Sequence, residues 1–390
     1  MFSVHVLCDP GEMEFGGIDE SLDRIAGRIG ADGVTVVAAG RPTAALRRGD
    51  GTGQRIVRSG GGLYFKPNAD RYARTRCKPR PAHGSGSRDA FTRILMAAGR
   101  RELSVRALID TRWIGRLAAR DPSIATQSAC GDVSPRSACV NHPDVAALLR
   151  ALIADLADRD GVRGIVLRGL ERPFDTDLLD NLRDVDGLGT AARELFGVCF
   201  CPSCAQSAAA GGVDVDAARR VAQSRLASAI DAGPTAGVTL DDWLGGNADL
   251  LQYLQNQRSA HVDFIRSLLT GAECDMAVTV DDSFDPAAWT RADTRPLSTF
   301  NVIARSPRSD GGAPDWSDLI HRCRGVCGCE AMISSSGSPD RDPAYLVRTM
   351  KYLADVGVNA ATLNHFGVFD AHATVAARRA VRYASRTSTA

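Results

Sequence analysis

The stretch Cys139–Phe174, CVNHPDVAALLRALIADLADRDGVRGIVLRGLERPF, decides how the rest of the chain is read. Asn141 or His142 can cap a helix, Pro143 suits its first position, and Asp144 stands where the helix dipole favours an anion. Val145, Leu148, Leu149, Leu152, Ile153 and Leu156 then recur at the spacing of one buried helical face, with Arg150, Asp155, Asp158 and Arg159 placed off it. Asp160-Gly161 breaks the helix. Val162 to Leu170 is short, apolar and rich in β-branched residues, which is how a strand buried on both faces of a parallel sheet reads. Charge returns at its carboxyl end with Arg168, Glu171 and Arg172, and that end is where parallel α/β folds place their chemistry.

The same alternation extends in both directions. Ser3 to Cys8 reads as a strand ended by Asp9-Pro10-Gly11, followed by a helix over about Asp19 to Ile29 and a second strand, Gly33 to Ala39. Further strands are expected at Val105–Asp110, Asp275–Val280, Ser298–Ala304, Glu330–Ser335 and Val358–Asn364. Helices are expected at Asp89–Arg101, Ala248–Leu269, Asp342–Val356 and Ala371–Ala384. Eight strands alternating with helices predict an α/β fold of the (β/α)8 TIM-barrel type. The expected organisation is one domain, residues 1–390, with long excursions after strands 2 and 4, at about 40–87 and 172–247. No G-x-G-x-x-G follows the first strand, which disfavours a dinucleotide-binding sheet.

Composition narrows the function. With 390 residues, 44% hydrophobic and 24% charged, the chain has the make-up of a globular protein with a large core. A net charge of +1 supplies no overall field for nucleic acid or an anionic membrane, so neither is an expected partner. No stretch approaches the roughly 20 apolar residues of a membrane helix. The opening MFSVHVLCDP shows no export signal, and eleven cysteines is an odd number, so a cytoplasmic protein with reduced thiols is expected. Cys201-x-x-Cys204 has the spacing of half a zinc site, but its second half must come from elsewhere. Cys323, Cys327 and Cys329, the one other cluster, are not a standard complement. Buried thiols fixing a turn are the favoured reading, with no metal and no cofactor expected. The run Arg71, Arg74, Arg76, Lys78, Arg80 in the first excursion reads as a solvated surface in preference to an anion site.

Several short motifs resemble the glycoside-hydrolase-like TIM-barrel superfamily, many of whose members have no established activity. They are Asn141-His-Pro-Asp-Val145 opening a helix, Gly164-Ile-Val-Leu167 as the strand after it, and Phe200-Cys-Pro-Ser-Cys204 downstream. Leu63-Tyr-Phe65 and His365-Phe-Gly367 lend weaker support. The resemblance covers the whole layout and implies a barrel that acts on a sugar or glycoside. Where such proteins typically follow the strand with a carboxylate, this chain has Arg168. An arginine donates no proton at neutral pH, and the nearest acid is Glu171.

Glycoside hydrolysis needs two carboxyl groups flanking the scissile bond, about 5 to 9 Å apart. Among the acids at expected strand ends, Glu171 is assigned as acid/base and Asp282 as its partner. Asp9, Asp110, Arg112, Trp113, Arg168, Arg172, Asp281, Asn364 and His365 are the expected substrate contacts. An alternative is an isomerase, epimerase or lyase of a phosphorylated small molecule, with Ser334-Ser335-Ser336-Gly337 binding phosphate and Arg168 and Arg172 clamping the anion. A third reading is a barrel that binds a carbohydrate or a partner protein without catalysis.

Overall fold

The computed structural model describes residues 2–46, 56–82, 89–170, 176–179, 188–232, 238–270, 274–280, 300–305, 316–323, 327–334, 343–364 and 371–387. Eight parallel strands form its centre: β1 (Ser3–Cys8), β2 (Gly33–Gly40), β3 (Ser104–Asp110), β4 (Val162–Arg168), β5 (Asp275–Val280), β6 (Phe300–Arg305), β7 (Gly328–Ser334) and β8 (Ala360–Asn364). Each pairs in parallel with the next, and β8 pairs with β1 through Ser3↔Ala360 to Val6↔Leu363. The sheet is therefore closed, and no barrel strand is left as an edge. All eight expected strands are present, with ends moved by a few residues at most.

Helices cover the outside. The central one, Pro143–Ala157, begins as its sequence requires: His142 is the cap, its Nδ1 accepting from Asp144 N–H at 3.2 Å, and Pro143 opens the first turn. Val145, Leu148, Leu149, Leu152, Ile153 and Leu156 are all buried in the main core. Asp155, placed off that face by periodicity, is also buried. Its carboxylate accepts from the Asn68 N–H at 2.9 Å, the Tyr72 hydroxyl at 3.0 Å and Arg159 Nη2 at 3.0 Å. Three donors compensate the burial of a charge that the helical pattern alone assigns to solvent.

These bonds also fasten part of the first excursion to the barrel. Leu63, Tyr64 and Phe65 are fully buried, and Gly62–Leu63 pairs antiparallel with the end of β2. Arg159 holds the Lys66 carbonyl at 2.7 Å and lies over the Phe65 ring at 4.3 Å. The basic run is largely committed. Arg71 pairs with Asp158, Arg76 with Asp121 and Asp144, and Lys78 donates to the Tyr72 and Ala73 carbonyls. A further helix not read from the sequence, Pro10–Gly16, follows β1, with Asp9 as cap and proline in its first turn. The Asp9-Pro10 pair carried that start signal.

Inside the barrel, Arg106 of β3 donates to both carboxylate oxygens of Glu330 on β7, at 2.8 and 2.6 Å, and to Thr362 of β8 at 3.0 Å. In the ring order these two strands stand four steps apart, so the pair bridges opposite walls. Near the amino-terminal end of the strands, Gly33 leaves room for its neighbours. A Cβ there would come within 2.7 Å of the His5 ring and 2.6 Å of the Ser104 carbonyl.

A second, smaller core lies between β4 and β5. It joins Leu195, Leu226, Leu240, Leu244, Leu250, Tyr253 and Leu254 from helices Thr190–Gly197, Val215–Ala232, Leu240–Leu244 and Ala248–Leu269, with Val198 and Phe200 from the turn after the first of them. Phe200 and Tyr253 stack at 4.3 Å between ring centroids.

Candidate active site and cysteine centre

Strand direction places Asp9, Asp110, Arg168 and Asn364 at the same, carboxyl end of the barrel, because each ends or directly follows a parallel strand. Arg168 Nη2 lies 2.9 Å from Asp110 Oδ2, so the residues that close β3 and β4 form an ion pair at the mouth. Arg41, just past β2, approaches the same oxygen at 3.6 Å. Asp110 itself is only 1% exposed. Thr111 hydroxyl donates to the Arg168 carbonyl at 3.0 Å and locks the two strand ends together.

Asp9 has a different environment. One carboxylate oxygen accepts from the Gly11 N–H at 2.8 Å, and the other from the Thr43 hydroxyl at 3.4 Å. Burial pushes its carboxyl above the ordinary aspartate range, opposed by the Gly11 and Glu12 backbone N–H groups, Thr43 and the nearby charge of Arg168. Asp9 thus keeps its proton to a higher pH than a free aspartate does, while Asp110 is engaged by Arg168 and Arg41.

Of the residues expected to contact substrate, the structure thus brings Asp110 and Arg168 into contact and sets Asp9 within the field of Arg168. Asn364 ends β8, half-buried. The backbone of Arg112 and Trp113 forms the turn Thr111–Ile114 after β3; their side chains lie outside the described residues. Glu171, Arg172, Asp281, Asp282, His365 and the segment 335–337 also lie outside them. The approach to Glu171 is visible: buried His261, on helix Ala248–Leu269, meets the Leu170 carbonyl through Nε2 at 3.0 Å. Arg41 and Thr43 were not anticipated. They sit in the Gly- and Arg-rich excursion, where no periodicity marks a contact.

A second polar centre was only half visible in the sequence. Cys139, Cys199, Cys201 and Cys204 converge, with their sulfurs all within 4.8 Å of one another. Cys139 precedes the cap of helix Pro143–Ala157, and Cys201 caps helix Pro202–Ala210, which carries Cys204 in its first turn. The missing complement to Cys201-x-x-Cys204 is therefore Cys199 together with Cys139, 65 residues before Cys204. It is not the cluster Cys323, Cys327, Cys329. Hydrogen bonds from the other three thiols hold the Cys201 thiol far below its ordinary range.

The molecule is thus a closed (β/α)8 barrel whose polar mouth is built from strand-end carboxylates and arginines. No protein-family model matches the chain, and no curated protein sequence matches it. Solved structures do. It is similar to α-L-fucosidase isoenzyme 2 from Paenibacillus thiaminolyticus, with TM-score 0.57 and 13% identity over 100% of this chain and 50% of that one. The catalytic domain of β-amylase from Paenibacillus polymyxa matches with TM-score 0.55 and 9% identity over 99% of this chain and 98% of that one. The β-galactosidase of the psychrophilic Marinomonas ef1 matches with TM-score 0.53 and 11% identity, over 98% of this chain and 59% of that one. The chain spans only about half the length of the fucosidase and the β-galactosidase. What these likenesses establish is the fold, a (β/α)8 TIM barrel.

Proposed function

We propose that the chain is a sugar-processing enzyme of the glycoside-hydrolase type, in which Glu171 serves as general acid/base and Asp282 as the partner carboxylate. The observation that carries this reading is the Asp110–Arg168 ion pair at the ends of β3 and β4. Arg168 stands where related barrels place an acid, and its charge is already met by Asp110. The position therefore supplies a fixed, neutralised pair that can orient hydroxyl groups, and the proton-transfer task falls to the next acid, Glu171. His261 secures the chain at Leu170, one residue before it. Asp9, Asn364 and His365 complete the substrate contacts in this reading, and the fold shared with a fucosidase and a β-galactosidase makes neutral glycosides the substrates to try first.

The same ion pair weighs against a phosphorylated substrate. The positive charge of Arg168 is already offset by the carboxylate of Asp110, 1% exposed, so it attracts an added anion less than an unpaired arginine would.

The test is hydrolysis of 4-nitrophenyl glycosides, beginning with the α-L-fucoside and the β-D-galactoside, by the full chain and by Glu171→Gln. Turnover that falls by two to four orders of magnitude in the variant, on the scale of lost acid–base catalysis, with an unchanged circular dichroism spectrum, supports the assignment. Equal rates in both proteins remove Glu171 from the mechanism. Saturable sugar binding with no turnover by the unaltered chain points instead to a non-catalytic barrel.

A further inference from the structure

We propose that Cys139, Cys199, Cys201 and Cys204 form a structural zinc site that fastens the segment before helix Pro143–Ala157 to the helical layer between β4 and β5. This inference is independent of the catalytic reading.

Geometry carries it. A tetrahedral tetrathiolate zinc has Zn–S bonds of about 2.3 Å, which sets sulfurs about 3.8 Å apart. The four sulfurs here all lie within 4.8 Å of one another, and Cys139 and Cys204 are 3.4 Å apart. That is well beyond the roughly 2.05 Å of a disulfide, and all four are free thiols. They converge from separate places in the chain: a loop after the strand Val133–Ala138, the turn after helix Thr190–Gly197, and the first turn of helix Pro202–Ala210. The group is almost completely enclosed, with exposures of 2%, 9%, 1% and 0%, and packs as a cluster of its own beside the two apolar cores.

The surroundings suit a charged tetrathiolate centre. Asn141 Nδ2 lies 3.7 Å from the Cys204 sulfur while donating to Gln257 at 3.2 Å. This donor offsets negative charge on the sulfur. The ligand loop is fixed independently by the Phe200 N–H to the Gln127 carbonyl at 2.7 Å and by the Tyr253 hydroxyl to the Cys199 carbonyl at 2.7 Å. Four protein sulfurs complete a tetrahedron and leave no position for water or substrate, so the role assigned is structural. Thiolate ligands select zinc or another thiophilic metal over magnesium or calcium. The site ties Asn141 and the helix that feeds β4 to the same helix whose His261 secures Leu170, so it braces the rim that leads to Glu171.

The experiment uses the full chain, reduced and passed over a chelating resin. About one tightly held zinc per chain is expected by elemental analysis, and replacement by Co(II) should give the intense visible absorption of tetrahedral tetrathiolate cobalt. Cys204→Ser should lose most of the zinc, and Cys327→Ser should keep it. If Cys204→Ser fails to fold, the cobalt spectrum of the unaltered chain decides. The proposal is overturned if the chain retains no zinc and gives no tetrathiolate cobalt spectrum, if intact mass reveals a disulfide among these cysteines under reducing preparation, or if Cys327→Ser loses the metal while Cys204→Ser keeps it.

Discussion

Arg106 and Glu330 meet across the full width of the barrel, with Nη1 at 2.8 and 2.6 Å from the two carboxylate oxygens, although 224 residues separate them in the chain. Glu330 is 2% exposed and the Arg106 side chain 11%, so neither charge can be left alone without a large cost. Glu330→Ala or Arg106→Ala should each destabilise the fold by about 3–5 kcal/mol, through the surviving buried charge. The double replacement by alanine should cost clearly less than the sum of the two single changes. Urea unfolding of the four proteins measures this coupling, and additive losses would show that the pair does not act as a unit.

The pairing of Arg168 predicts indifference to phosphate. Because Arg168 is already paired with Asp110, glucose 6-phosphate should raise the melting temperature no more than glucose does. A selective rise with the phosphorylated sugar, lost in Arg168→Met, would revive the anion-clamp reading.

His5 predicts a weakness in acid. Burial, with the charge of Arg106 as the next contribution, lowers its imidazole from 6.5 to about 3. In the folded chain the ring stays neutral, while in the unfolded chain it takes up a proton below about 6.5. Its contribution to stability is therefore complete above that pH and is lost progressively as the pH falls toward 3. Thermal unfolding from pH 7 to pH 4 should show the loss, and His5→Gln should flatten that part of the curve. An unchanged pH profile in the variant would assign the acid sensitivity to other groups.

Asp155 predicts how the first excursion is held. It is 3% exposed and accepts from Asn68, Tyr72 and Arg159. Asp155→Ala leaves those donors without their acceptor and should cost about 2–4 kcal/mol, with protease cleavage between residues 66 and 82 appearing early. Asp155→Asn, which keeps one acceptor oxygen, should lose less. Equal resistance of all three proteins to proteolysis would mean that the buried Leu63–Phe65 island holds the segment unaided.

Much of the architecture was legible because local patterns and the global fold agree. The helix Pro143–Ala157 announces itself by cap, proline and apolar stripe, and β4 by a short β-branched run after Asp160-Gly161. Repeated along the chain, these signals name every barrel strand. One local signal was passed over, the Asp9-Pro10 helix start; the burial of Asp155 carries no local signal, because it depends on donors far away in sequence. The cysteine centre shows the same limit, since Cys201-x-x-Cys204 is a local spacing but Cys139 joins only through the fold.

By itself, then, the sequence determined the succession of strands and helices and the closed barrel they imply, because hydrophobic period, caps and breakers act over a few neighbouring residues. It also determined which residues stand at strand ends, among them Asp110 and Arg168. Only the tertiary structure decided that those two neutralise each other, that Arg41 and Thr43 join the mouth, that Arg106 reaches Glu330, and that four cysteines share one point. These relations depend on distances between segments remote in the chain, and closing the barrel is the physical event that brings them together.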